Sequence, residues 1–289
     1  MKNTLRHLPL PAMKTSLAVG IFGLALSSAM PVMSAAIGDC PSPCVAANMS
    51  ITKNTTLTSN ISGSITILGN GVTLNGNGFG LYGNSSSDGV SVIYVANVTI
   101  ENIDIEGFDI GINAYHSDGI HLDHIDVYDS SIGILVDSSD HSVVESIYAS
   151  GNSSIGVAIW GSDDATIEYV TARGNDGMGV EVYLSHNAYL NRVYGYNNDD
   201  EGIAFQYNQN LNANRLLARD NGSYGIALYS VDGATITSSA LQCNEKSWSS
   251  PRSYSCGNDL LVDNTSDGNT IDINSGAIVV NNGSGNTIY

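Results

Sequence analysis

From Gly89 onward the chain repeats one pattern of apolar and polar positions. A glycine followed by alternating apolar residues recurs at Gly89, Gly111, Gly133, Gly156, Gly179, Gly202 and Gly225, at intervals of 22, 22, 23, 23, 23 and 23 residues. One residue after each glycine stand Val90, Ile112, Ile134, Val157, Val180, Ile203 and Ile226. Three after stand Val92, Ala114, Val136, Ile159, Val182, Phe205 and Leu228. Further apolar rows lie eleven after (Ile100, Leu122, Val144, Ile167, Leu190, Ala213, Ile236), fourteen after (Ile103 to Leu216) and sixteen after (including Ile105, Val127, Ala149, Ala172). Alternation within these rows is the period of a β-strand with one buried face. No helix-length amphipathic stretch follows residue 36. Short strands at a constant offset cannot pair as hairpins. Stacked coils, each strand paired with its copy one coil along, satisfy the pattern. The prediction is an all-β parallel solenoid of roughly nine coils, stacked about 4.8 Å apart.

The turns and ends fit this scheme. Asn152, Asn175, Asn198 and Asn221 stand nineteen residues after successive glycines and predict a structural asparagine ladder at a corner that tolerates left-handed backbone. Residues 37–62 are expected to cap the first coil, and 63–289 to form the solenoid. From Gly225 to Gly257 the interval is 32 residues, so a loop of about nine is inserted there. Four cysteines allow three pairings, and two local pairs, Cys40–Cys44 and Cys243–Cys256, fit an exported chain. The second pair would close the inserted loop at 243–256.

Residues 1–36 read as a signal peptide. Lys2, Arg6 and Lys14 precede a short apolar run from Leu17 to Leu26, and Ser34-Ala35-Ala36 offers a small-residue cleavage site. Met13-Lys14 begins an equally good signal. No later run is long enough for a membrane span. Without the leader the chain keeps all 28 acidic residues and loses three of its ten Lys and Arg, a formal charge of −21. That field repels nucleic acid and anionic membranes, and it weighs against a highly anionic substrate unless Ca²⁺ or a local basic patch intervenes. An exported monomer is expected, in the periplasm, at the cell surface or outside the cell.

Segments such as Ile132-Gly-Ile-Leu-Val-Asp and Tyr224-Gly-Ile-Ala-Leu-Tyr resemble the right-handed parallel β-helix repeats of the pectate-lyase-like superfamily. Ile51-Thr-Lys-Asn-Thr-Thr-Leu and Gly71-Val-Thr-Leu-Asn-Gly-Asn-Gly resemble the openings of NosD-type β-helix proteins. The resemblance spans roughly residues 50–245 and implies a right-handed parallel β-helix. It implies work on an extracellular polysaccharide, of lyase or uronate-epimerase type. The alternatives it leaves are a non-catalytic cell-surface or adhesin scaffold and a NosD-like periplasmic metal-handling protein.

Outward rows carry the candidate chemistry. Four residues after the glycines stand Tyr115, Asp137, Trp160, Tyr183, Gln206 and Tyr229. Aromatic rings offer apolar platforms to sugar C–H faces, while Asp and Gln take hydroxyls. The expected substrate contacts are therefore Tyr115, Trp160, Tyr183, Gln206 and Tyr229, with Asp137, Glu181 and His116 as acid–base candidates. Twelve after the glycines run Glu101, Asp123, Glu145 and Glu168, then Asn191 and Asn214. Stacked carboxylates at one coil's spacing repel unless a cation intervenes, and Asp123, Glu145 and Glu168 suit Ca²⁺. Arg192 and Arg215 stack one position further on, available to acids or to an anionic sugar. The densest constellation, His116 to Asp126, places His116, His121 and His124 where copper or zinc would be the metal reading.

Overall fold

The computed structural model describes residues 40–244, 247–248, 254–255, 257–274 and 276–289. Residues 1–36, read as a signal peptide, lie outside the described residues, and so does Cys256. Among the described residues there is no helix, and the strands form two large parallel sheets of sixteen and eleven strands. Both sheets run the length of a parallel β-solenoid.

Each coil contributes one strand to the eleven-stranded sheet and a longer, bent passage to the other. The register is that of the sequence repeat. Ile112 pairs with Val90 below and Ile134 above, and Leu122 with Ile100 and Val144. Like residues therefore stack on like. The rows one, three, eleven, fourteen and sixteen after the glycines all face inward and are buried, forming one continuous core.

The repeat glycine has a packing reason. A Cβ on Gly111 would lie 2.5 Å from the Gly133 carbonyl oxygen, and one on Gly156 would lie 2.7 Å from that of Gly179. Only a residue without a side chain lets successive coils approach so closely at that point.

Four residues per coil adopt left-handed backbone and turn the chain. In the Gly202 coil they are Tyr207, Asn210, Arg215 and Asp220, with φ of 55°, 56°, 56° and 61°. The asparagine ladder is not among them. Its members stand one residue past a left-handed corner and point inward, completely buried. Asn152 donates through its backbone N–H and through Nδ2 to Asn175 Oδ1, at 3.0 and 2.9 Å, and Asn175 repeats the pattern to Asn198. The column continues through Asn221 and Asn244 and ends on buried Asp259, whose Oδ1 accepts Nδ2 of Asn244 at 2.8 Å. A second buried column, not anticipated from the sequence, is made of Ser117, Ser139, Ser162 and Ser185. Each hydroxyl accepts the backbone N–H of the corresponding residue one coil before.

The segment expected as a cap already contributes strands. Cys44–Ala46 pairs with Asn60–Ser62, and Met49–Ile51 with Ile65–Ile67. Cys40 and Cys44 are joined by a disulfide. Cys243 is also disulfide-bonded. In the inserted loop Ser247–Trp248 pairs antiparallel with Tyr254–Ser255.

Asn175→Ala should lower stability by about 1–3 kcal/mol, because two buried donors of Asn152 lose their acceptor. Gly156→Ala should also destabilise by roughly 1–3 kcal/mol through overpacking. Urea unfolding followed by far-ultraviolet circular dichroism checks both. An unchanged midpoint in Asn175→Ala would show that the amide column contributes nothing to holding the coils together.

Candidate functional site

The outer face of the eleven-stranded sheet has three outward rows. They stand one before, two after and four after the repeat glycine. The last two alternate as a strand does, and the first shares their face because the alternation breaks at the glycine, where two successive residues are buried. The last row is continuous in the ladder. Tyr115 pairs with Asp137, Asp137 with Trp160, Trp160 with Tyr183, Tyr183 with Gln206 and Gln206 with Tyr229. All six are half-buried. The face carries no lysine or arginine in these rows.

The strip is not a simple stack of rings. Three of its members, Trp160, Gln206 and Tyr229, turn across the sheet and engage carboxylates in the other two rows. Glu181, only 7% exposed, accepts Nε1 of Trp160 at 2.8 Å on one oxygen and Nε2 of Gln206 at 2.7 Å on the other. Burial pushes its pKa up, against the lowering effect of the Trp160 hydrogen bond. Glu201, 6% exposed, accepts the Tyr229 hydroxyl at 2.8 Å and the Ser223 hydroxyl at 3.1 Å. Burial and the neighbouring Asp200 push it up to about 7. At the other end Asp88 accepts Nδ2 of Asn113 at 2.8 Å, and burial raises its pKa too. Between these groups Leu135, Ile155 and Ala158 form a small apolar cluster with Trp160 and Met178 at its margin. The face thus combines an apolar floor, a fixed indole and shielded carboxylates, which suits a sugar polymer's mixed surface.

Glu201 and Asp88 were not singled out from the sequence. They stand immediately before a repeat glycine, in a row whose other members are Ile110, Ile132, Ile155, Met178 and Tyr224. An acid in an apolar row was the available signal.

The three acid–base candidates are dispersed among different partners. His116 sits at a left-handed corner, φ 49°, between the rings of Tyr94 and Tyr115. Asp137 accepts the Ser138 hydroxyl at 2.8 Å. Glu181 holds Trp160 and Gln206 as described. The cluster from His116 to Asp126 also divides. Ser117 is buried in the serine column, and the remaining histidines stand on the sixteen-stranded sheet.

There the acidic ladder is partnered row by row. His121 Nε2 lies 2.6 Å from Glu145 Oε1, and His124 Nδ1 lies 2.6 Å from Asp123 Oδ1. Glu168 accepts Nδ2 of Asn191 at 3.0 Å. Among the described residues no three His, Cys, Asp or Glu are grouped to hold a metal ion. No helix among them is long and apolar enough to cross a membrane.

The fold is shared with solved β-helix structures of low sequence similarity. The periplasmic alginate epimerase AlgG superposes with a TM-score of 0.56 at 14% identity, covering 79% of this chain. This chain spans only 55% of that protein. The A-module of the mannuronan C-5 epimerase AlgE6 from Azotobacter vinelandii superposes at 0.60 with 16% identity, covering 84% of this chain and 80% of the module. The Dettilon tailspike protein superposes at 0.52 with 15% identity, covering 82% of this chain and 61% of that one. No curated protein sequence matches the chain. At such identities the likeness is one of fold. A family model described as a right handed beta helix region matches residues 111–247 and 147–289, and the chain belongs to that family.

Proposed function

We propose that the protein binds an extracellular polysaccharide lengthwise along the outer face of the eleven-stranded sheet, with the sugar rings over Trp160. The observation that carries this reading is the Trp160–Glu181–Gln206 constellation. An indole held by a carboxylate beneath it is a pre-organised platform, so ordering it on binding costs little entropy. Asp137, Tyr183 and Tyr229 border it along the same row. With four carboxylates nearby and no basic side chain, the face is built for hydroxyls rather than for sugar carboxylates. The polysaccharide-acting β-helix neighbours and the disulfides of an exported chain support the same assignment.

Processing, as distinct from binding, would run through Glu201. A carboxyl with a pKa near neutrality exchanges a proton readily at working pH, as a general acid or base must. Tyr229 and Ser223 fix its orientation. Ca²⁺ is not required by this scheme. If the Asp123, Glu145 and Glu168 ladder holds that ion, it does so on the other sheet.

Oligosaccharides should change Trp160 fluorescence, with Trp160→Phe identifying the signal against Trp248. Trp160→Ala should weaken binding by roughly 1–3 kcal/mol, the scale of one aromatic ring's apolar surface. The panel must include plant, algal and bacterial glycans. Glycan binding left intact in Trp160→Ala would remove this face from consideration.

Glu201 makes a separate prediction about pH. Its folded pKa, about 7, lies above its ordinary 4.5, so the folded state binds the proton more tightly than the unfolded chain. Its contribution to stability is full below about pH 4.5 and is lost as pH rises through about 7. Thermal unfolding of Glu201→Gln across that interval should show less decline than the parent. Parallel curves would mean that Glu201 titrates as an ordinary surface carboxylate.

A further inference from the structure

Four of the chain's ten lysines and arginines occupy a single patch on three successive coils. The segments are Tyr169-Val-Thr-Ala-Arg173, Arg192-Val-Tyr-Gly-Tyr196 and Arg215-Leu-Leu-Ala-Arg219. Tyr169, Arg192 and Arg215 share the left-handed corner of the sixteen-stranded sheet, with φ of 55°, 57° and 56°. Arg173, Tyr196 and Arg219 stand in register at the far end of the same outward strand passage. The residues form a checkerboard of guanidinium groups and phenol rings.

The rings hold three of the four arginines in place. The Arg192 guanidinium lies 4.9 Å from the Tyr169 ring centroid and also donates to the Tyr169 hydroxyl. Arg173 and Arg219 sandwich Tyr196 at 5.5 and 5.3 Å. Stacked in this way, a guanidinium keeps its N–H edges free for an anion. Arg173, Arg215 and Arg219 are exposed, and Arg192 is half-buried.

Among the described residues of this acidic chain, none of these arginines is in an ion pair with a carboxylate. The ion pairs among the described residues are three His–carboxylate contacts, and no arginine takes part. The adjoining ladder changes character at the same place. Glu101, Asp123, Glu145 and Glu168 give way to Asn191 and Asn214 as Arg192 and Arg215 enter the corner row. Arginines placed to neutralise that ladder would accompany its acids. Instead they begin where the acids end.

We infer that this Arg–Tyr checkerboard is a binding site for an anionic polysaccharide, with carboxylate or sulfate groups seated on the arginines of successive coils. The coil rise of about 4.8 Å is close to the length of one sugar unit in an extended chain, so charges on neighbouring sugars meet Arg192 and Arg215 in the corner row, and charges two sugars apart meet Arg173 and Arg219 in the other. Guanidinium forks match planar oxyanions, and the tyrosine rings between them offer faces to the sugar rings. The site is independent of the Trp160 face and takes ligands of the opposite character.

The test uses the full exported protein with polygalacturonate, dextran sulfate and uncharged dextran, compared by isothermal calorimetry at low and physiological salt. Both polyanions should bind, and uncharged dextran should not bind at this site. The pairs Arg192→Ala with Arg215→Ala, and Arg173→Ala with Arg219→Ala, should each weaken polyanion binding roughly tenfold or more, as expected for lost charge-assisted contacts. Arg173→Lys with Arg219→Lys keeps the charge and removes the stacked fork. It should lie between parent and alanine pair. Trp160→Ala should leave polyanion affinity unchanged, which separates failure here from failure of the Trp160 reading. Circular dichroism melts of each variant exclude misfolding, because the substituted side chains lie outside the core. Polyanion affinity unaffected by the arginine pairs would overturn the site. So would a salt-sensitive dimer, seen by sedimentation, that dissolves in the same variants while polyanions fail to bind.

Discussion

Everything in this molecule depends on the close parallel stacking of equivalent residues. A coil one strand-spacing above another must present the same side chain at the same place, or at least one that tolerates it. At the repeat glycines this becomes a strict steric limit, since the carbonyl of the next coil lies within 2.8 Å of the position a Cβ would occupy from Gly89 through Gly202. The apolar rows inside the solenoid and the amide and hydroxyl columns at its corners satisfy the same limit. In these columns each backbone N–H finds its side-chain acceptor one coil away, so the columns' buried polar groups are paired without leaving the repeat.

The stacking that orders the interior creates difficulties outside. A row of acids brings like charges to one strand-spacing, where they repel. Asp104 shows this, its pKa raised by burial and by the Asp126 charge beside it. Along Glu101 to Glu168 the chain answers with a partner for each acid, from Asn75, His124, His121 or Asn191. On the other sheet the answer is burial beneath aromatic side chains. There Glu181 and Glu201 lose water and gain Trp160, Gln206 and Tyr229 as donors. Both sheets thus present ladders of chemistry parallel to the solenoid axis.

The two faces differ because the identity of outward residues is free of the core's demands. Nothing in the packing prevents Asp88, Glu181 or Arg215 from being another polar residue. Their placement sets shielded carboxylates among aromatic residues on one sheet and, on the other, an acidic ladder that gives way to arginines. The aromatic residues serve both faces, as hydrogen-bond donors to carboxylates in one and as supports for guanidinium groups in the other.

The solenoid itself was legible in the sequence because its period is written in every coil. Seven glycines, five inward apolar rows and the asparagine column each repeat a local rule, and local rules survive reading residue by residue. The six-residue strip from Tyr115 to Tyr229 was legible for the same reason. What the tertiary structure alone decided is which way side chains lean once they leave the strand. Tyr229 reaches Glu201 across 28 residues of chain, and Gln206 reaches Glu181 across 25. His116, Asp137 and Glu181 instead serve three different neighbourhoods. The serine column escaped notice because serine in a turn reads as solvated surface until its neighbours one coil away are in place. Periodicity determines which residues share a row. Burial and hydrogen bonding between rows, which no single row encodes, determine what those residues are able to do.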